Sequence, residues 1–374
     1  MRKPLKIAWI GHGWNTAVCH RPHHWRTQAL ARGHEFHVFT LPLPLFRKKQ
    51  NNPIPAKNVH TLPRSVIEAI MRRTNYGKEA YSRLHARFET YAQHTIDQCG
   101  GKFDVVMYGS FPLRNLKRIH DAGVFIYDCM DAWGGFTYIP SDVLAGEART
   151  VEQADLVLAV SQPLFDRFTS VCDKNKVLLL PNGCDFPLFS STAASPRRSS
   201  DLVIGYTGTI AEWFDWRTVI GIAEAFPQAS VRLVGPVVAA IPGNLPANIQ
   251  FDGLQPYDKL PEFNALFDVC IIPFLQGSSL IAATSPIKLY EYLASGKPVV
   301  SSPMPDSREL AAAGIVYVAE TINSFVRAIT EACRMTDDPD LIRRRKTIAH
   351  QNSWTERWAR MEDSISQLMS NAQP

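Results

Sequence analysis

Cysteine is scarce and without pattern: seven residues, an odd number, with no Cys-x-x-Cys pair and no zinc-finger spacing. That excludes a disulfide-stapled scaffold or a zinc ribbon and favours a reducing compartment, the cytoplasm. No apolar run approaches the roughly 18 residues of a membrane-crossing helix. The basic start, Met1-Arg-Lys-Pro-Leu-Lys-Ile-Ala-Trp-Ile, has too short an apolar part for a signal peptide and reads as a first buried strand. Charge of one sign is not in excess, since 40 Lys and Arg face 35 Asp and Glu, a net charge of +5. No basic segment is interleaved with aromatics in a recognisable module, so nucleic acid is not an expected partner. No Gly-x-Gly-x-x-Gly follows the first strand, because Gly11-His12-Gly13 continues as Trp14-Asn15-Thr16. That argues against a dinucleotide-dependent oxidoreductase. No Asp-x-Asp follows a suitable strand, and no short-period repeat is present.

What is there is the composition of a globular enzyme, 45% apolar and 20% charged over 374 residues, a length that suits two domains. Short, uniformly apolar runs alternate with amphipathic stretches. The first half predicts strands at Leu5–Ile10, Glu35–Phe39, Asp104–Tyr108, Val124–Asp128, Leu156–Val160 and Val177–Leu180. Helices fall at Pro22–Arg32, Tyr76–Gln98, Pro112–Asp121, Ser141–Gln153 and Gln162–Val171. This is the pattern of a parallel sheet covered on both faces. Pro181-Asn-Gly-Cys-Asp185 breaks it, and the polar stretch Ser190–Ser200 reads as a linker. The alternation then restarts at Leu202. Two tandem Rossmann-like doubly wound α/β domains are expected, facing a central cleft: residues 1–182, and 183–352 with a last helix over 353–370 crossing back to the first domain.

The most informative segment is Ser285-Pro-Ile-Lys-Leu-Tyr-Glu-Tyr-Leu-Ala-Ser-Gly296, followed by Lys-Pro-Val-Val-Ser301. Pro near the first turn, Gly at the stop and an apolar run beyond predict a helix feeding a strand. The first amides of a helix lack intrahelical partners and sit at the positive end of its dipole, so Ser285, Pro286 and Ile287 frame an anion site. Lys288 adds a cation suited to a diphosphate. Glu291, three residues on, shares its face and can accept two hydrogen bonds from a sugar diol. The alternative is an ordinary helix with both charges solvated. Gly208 and Thr209, just past strand Leu202–Tyr206, let backbone amides approach a phosphate, although a structural turn needs Gly equally well. The loop 273–284 leads from a strand into the Lys288 helix and is placed to touch ligand.

In the first half, His12 and Gly13 follow the first strand. Arg21 and His23 open the first helix, where they can meet an anionic acceptor or simply form a polar, capped start. The histidines over 20–24 have no nearby Asp or Glu to complete a metal set, and no metal is expected. Asp128 and Asp131 close strand Val124–Asp128. Asp131, lying in the loop, is better placed as a general base, and Asp128 as a brace, against the alternative that both serve turn chemistry. Arg47-Lys48-Lys49 follows Leu43-Pro-Leu-Phe46, a cationic and apolar pairing suited to the inner face of an anionic membrane, whereas the other basic runs read as solvated faces.

Leu180-Pro-Asn-Gly-Cys-Asp185, Gly205-Tyr-Thr-Gly-Thr209, Asp268-Val-Cys-Ile-Ile-Pro-Phe274 and Lys288-Leu-Tyr-Glu-Tyr-Leu-Ala-Ser-Gly-Lys-Pro-Val-Val300 resemble the GT-B glycosyltransferases of group 1, the family 4-like class of bacterial polysaccharide assembly. The resemblance covers the second half well and the first half loosely. It implies a nucleotide-sugar donor, a saccharide, lipid-linked or small-molecule acceptor, and no further cofactor. The family's acidic pair is two Glu separated by seven residues. Glu291 matches the second, but Ala283 stands where the first belongs, which weakens transfer of the family's retaining mechanism and leaves room for an inverting displacement with Asp131 as base. A sugar-nucleotide epimerase on the same scaffold, or a non-catalytic binding subunit, are the alternatives; Ala283 is the feature favouring the latter.

Overall fold

The computed structural model describes residues 3–11, 14, 19–40, 57–61, 78–109, 123–136, 139–191 and 202–371. His12, Gly13, the 43–49 patch, the helix expected over Pro112–Asp121 and most of the expected linker lie outside them. The chain divides into two compact units, Met1–Pro181 with Trp358–Pro374, and Asn182–Arg357.

The first unit holds a seven-stranded sheet in the order β3-β2-β1-β4-β5-β6-β7. Its strands are β1 Lys6–Gly11, β2 Glu35–Thr40, β3 Val59–Thr61, β4 Val105–Tyr108, β5 Val124–Cys129, β6 Leu156–Ala159 and β7 Val177–Leu179. Every pairing is parallel. Nearly all residues of β1, β4, β5 and β6 are buried, as expected of strands covered on both faces. The last helix, Trp354–Asn371, contributes Trp358 to this unit, where its ring lies 6.1 Å from that of Trp25. Glu362 on the same helix bonds His34 at 2.9 Å.

The second unit holds a six-stranded sheet in the order β10-β9-β8-β11-β12-β13. Its strands are β8 Val203–Thr207, β9 Ser230–Val234, β10 Ile249–Gly253, β11 Val269–Ile272, β12 Val299–Ser301 and β13 Tyr317–Val318, again all parallel. In each sheet the order reverses beside the first strand, at β1/β4 and at β8/β11. At such a point the connections leave in opposite directions and open a crevice at the strands' carboxyl ends. The Thr207–Thr209 turn occupies that position in the second unit.

Some elements depart from expectation. The helix expected over Ser141–Gln153 is two pieces, Ser141–Leu144 and Gly146–Gln153. Strand β3 and a helix at Pro339–Gln351 were not expected. That helix begins where Asp338 accepts from the amides of Asp340 and Leu341, with Pro339 at its first position. It carries the run Arg343–Lys346, read as a solvated face. Arg345 is instead buried and donates to the Gly296 carbonyl.

Candidate functional site

The Ile287–Ala294 helix is preceded by Pro286 as its N-cap residue. Tyr292 is wholly buried; its hydroxyl accepts from the Thr207 amide at 2.7 Å and pins the helix to the carboxyl end of β8. Ser285 is not an open ligand group. Its hydroxyl accepts from the Asn182 amide and donates to Asp306, which also accepts from Tyr290. What remains at the helix start is geometry, with Leu289 bonded back to the Pro286 carbonyl.

Lys288 lies beside Gly208, its ammonium over the rings of Tyr206 and Phe274, 5.3 Å and 5.0 Å from their centroids. Burial pulls this ammonium down to about 8, with Glu291 opposing. The cause is that a charged group loses hydration against apolar walls. Glu291, one turn on, accepts from the Tyr257 hydroxyl at 2.8 Å. Burial raises its carboxyl to about 7 against the pull of Tyr257 and Lys288. The structure thus brings Gly208, Lys288 and Glu291 together in one unit, Gly208 in the turn after β8 and the two charged residues on the helix.

The contribution of Gly208 differs from the one expected. Its amide donates to the Val234 carbonyl at 2.8 Å, so that N–H is spent inside the fold. Its value is the missing side chain. It sits at φ +140°, and a Cβ there would lie 2.6 Å from Lys288 Cε. The neighbouring turn is as tight, since a Cβ on Gly235 would meet the Gly208 carbonyl oxygen at 2.1 Å. Thr209 uses its carbonyl to receive the Tyr206 hydroxyl. Gly208→Ala is expected to cost roughly 1–2 kcal/mol in backbone strain. Displacement of the lysine should weaken phosphate-ligand affinity about tenfold. Gly253→Ala, also at positive φ but with open space around it, should cost similar stability and leave affinity unchanged. Urea unfolding and ligand titration of the two variants separate these effects.

In the first unit Asp131 lies two residues past β5, partly exposed, and burial of its carboxyl raises it to about 7, with Arg21 pulling down. The loop is fixed from several sides. Cys129 Sγ donates to the Asp131 carbonyl, and the Trp133 indole donates to the Tyr127 hydroxyl, which in turn donates to Glu147. Arg21 is not an open cation. It is buried, its Nε donates to both carboxylate oxygens of Asp128 at 2.9 and 3.1 Å, and it reaches the Pro181 carbonyl. Trp25 adds a 2.8 Å bond to the same carboxylate. The expected meeting of Arg21 with an acceptor thus gives way to a brace under the Asp131 loop. His23 stacks on Trp14 with ring centroids 4.1 Å apart and accepts from the His20 amide. Asp128→Asn leaves a buried guanidinium without its counter-charge and should cost about 3–5 kcal/mol. A loss under about 1 kcal/mol in denaturant unfolding contradicts this brace.

The family Glycosyl transferases group 1 matches residues 203–334, the span holding Gly208, Lys288 and Glu291. The chain is 26% identical over 275 residues, 66% of it and 67% of the relative, to TuaH of Bacillus subtilis strain 168, a putative teichuronic acid biosynthesis glycosyltransferase. The group 1 glycosyltransferase match thus falls within the second unit, on the segment that carries the Lys288 helix. Solved glycosyltransferase structures share its fold. Anabaena HepE in complex with UDP and glucose superposes with TM-score 0.58 at 16% identity, covering 97% of this chain and 99% of that one. Sucrose-phosphate synthase from Thermosynechococcus elongatus gives 0.63 at 18%, covering 99% and 100%. The two-domain α/β architecture is therefore of the GT-B type.

Sequence reasoning missed Tyr206, Phe274, Tyr257 and Tyr292, which form the floor and fastenings of the Lys288 helix. Each acts across long sequence separations that no local pattern reports. It also missed a histidine–cysteine group in the first unit. Among the described residues, His37, His60 and Cys99 are the group of ligating side chains that could hold a metal ion. Among the same residues, no helix is long and apolar enough to cross a membrane.

Proposed function

We propose that the chain transfers a sugar, a hexosyl group in the simplest case, from a nucleoside-diphosphate donor to a saccharide or lipid-linked acceptor in polysaccharide assembly. The observation that carries this is Lys288: a cation held against two aromatic rings, beside a glycine that clears its path, at the start of a helix whose next turn presents Glu291. Lys288 and the helix start bind the diphosphate and stabilise the negative charge that grows on it as the anomeric carbon–oxygen bond breaks. Glu291 holds the ribose diol. Lys288 and the dipole do the neutralising that a divalent ion does elsewhere, so the reaction runs without a metal. In the first unit Asp131 accepts the proton of the acceptor hydroxyl as its oxygen attacks the anomeric carbon, the electron pair leaving on the diphosphate. Its raised value of about 7 is that of a base poised for neutral pH. TuaH, named for teichuronic acid biosynthesis, and HepE, crystallised with UDP and glucose, support the reading of donor and acceptor class. The cationic and apolar residues 43–49 suit an acceptor presented at the inner membrane face.

A thermal-shift panel of nucleoside diphosphates and nucleotide sugars tests the donor half, because a ligand that binds only the folded state raises its midpoint. A selective shift, followed by transfer of sugar to an added acceptor, is expected. No shift with any member rejects the reading, and an epimerised donor without acceptor replaces transferase by epimerase.

A further inference from the structure

We propose that His37, His60 and Cys99 form a zinc-binding site at the edge of the first sheet, separate from the Asp131 loop of that unit. The three come from distant segments: β2, the edge strand β3, and the residue after the helix Lys78–Gln98. Their donor atoms lie within 4.8 Å of one another. His37 Nδ1 is 3.2 Å from His60 Nε2, and Cys99 Sγ is 3.6 Å from the same nitrogen. Zinc bonded to nitrogen at about 2.0 Å and to sulfur at about 2.3 Å in a tetrahedron sets such atoms roughly 3.3–3.6 Å apart. The His37–His60 and His60–Cys99 separations match that geometry.

A second observation concerns the far side of the His37 ring. Glu35, on the same face of β2 two residues earlier, receives His37 Nε2 at 2.7 Å. With that nitrogen protonated, Nδ1 presents its lone pair to the cluster. A carboxylate behind a metal-binding imidazole is the usual way its tautomer and basicity are set. The walls are apolar: Phe103 meets His37 edge-on at 5.2 Å, and Phe39 stacks on His60 at 4.7 Å. His37 is buried, while His60 and Cys99 are half-buried, so an ion can enter from solvent. Lys6 is a cation beside the group, its Nζ donating to the Cys99 carbonyl and lying over Phe103. Burial raises the Cys99 thiol, and the Lys6 charge opposes that rise. The thiolate and the Glu35 carboxylate together offset a dication. The donor set, two imidazoles and one thiolate, suits zinc over calcium or magnesium. On binding, Cys99 gives its thiol proton to solvent, each imidazole offers a ring-nitrogen lone pair, and a water completes four-coordination. The ion would then tie the edge strand to β2 and to the helix end, a structural role.

The test is titration of the chelator-treated full-length chain with Co(II), then displacement by Zn(II). One equivalent should bind with the visible absorption of a four-coordinate cobalt centre and a near-ultraviolet sulfur-to-cobalt band. One proton should be released per ion, and zinc should raise the thermal midpoint. Cys99→Ser should remove the near-ultraviolet band, and Glu35→Gln should weaken binding about tenfold. His94→Ala, on the exposed face of the same helix, should leave binding intact. Wild-type protein that takes up no cobalt with these bands overturns the site, whatever the variants do. So does a wild-type spectrum reproduced by Cys99→Ser, or by a His60→Ala chain that retains its far-ultraviolet circular dichroism.

Discussion

Lys288→Ala weakens binding of a nucleoside diphosphate by about 10- to 100-fold, the worth of roughly 1.5–3 kcal/mol for a hydrogen bond to a charged group. The loss depends on pH. Burial brings the Lys288 ammonium to about 8 in the ligand-free protein. Below that the side chain meets the diphosphate charged. As pH rises through about 8 it becomes neutral, and binding must first restore its proton, so affinity falls about tenfold per pH unit. The variant lacks this alkaline limb. Stability moves the other way. The folded value lies below the ordinary value of 10.5, so the unfolded chain binds more protons between about 8 and that value. Ligand-free stability therefore rises with pH across this window, and the charged lysine is a cost below it. Lys288→Met should accordingly leave ligand-free stability at neutral pH equal or higher while removing affinity. Equal affinity of Lys288→Ala and wild type in calorimetry at pH 7 is the contrary result.

Asp131→Asn lowers kcat by about 100- to 10,000-fold, the usual contribution of a positioned base, and leaves donor affinity within about twofold, since the proposed donor contacts lie in the second unit. In the wild type, kcat/KM should rise as pH climbs through about 7, where the carboxyl ionises. The asparagine variant loses that acidic limb. The sign of the stability effect follows from a carboxyl held above its ordinary range: its contribution is present at low pH and fades as pH rises through about 7. Asp131→Asn should thus be no less stable than wild type at pH 8. Steady-state kinetics with saturating donor checks the first effect, and denaturant unfolding checks the second. Turnover by Asp131→Asn at the wild-type rate removes the base assignment.

Much of the architecture was legible because parallel strands buried on both faces read as short continuous apolar runs. Val124–Asp128 was expected and Val124–Cys129 found; Leu156–Val160 was expected and Leu156–Ala159 found. The Lys288 helix was legible from punctuation, Pro286 at its start and Gly296 at its stop. Strand β3 escaped because three residues carry no periodicity, and its place is set by pairing with β2. The helix Pro339–Gln351 escaped because its charge run suggested solvent, although Arg345 is buried beneath Gly296. At the candidate site, residue types were readable but not their commitments. Nothing local announces that the Gly208 amide is spent on Val234, that Ser285 serves Asp306, or that Arg21 is locked to Asp128. For the same reason His37, His60 and Cys99 looked unremarkable until the sheet edge and helix end brought them within reach of one another.

The central claim is that the Lys288 ammonium is a diphosphate ligand. Calorimetric titration with UDP or another shift-inducing nucleoside diphosphate, at pH 8 in buffers of different ionisation enthalpy, counts the protons exchanged on binding. Wild-type protein should take up about half a proton as a half-neutral lysine becomes fully charged, and Lys288→Ala should bind more weakly and take up none. Equal affinity in the two proteins, with no proton taken up by either, contradicts the claim.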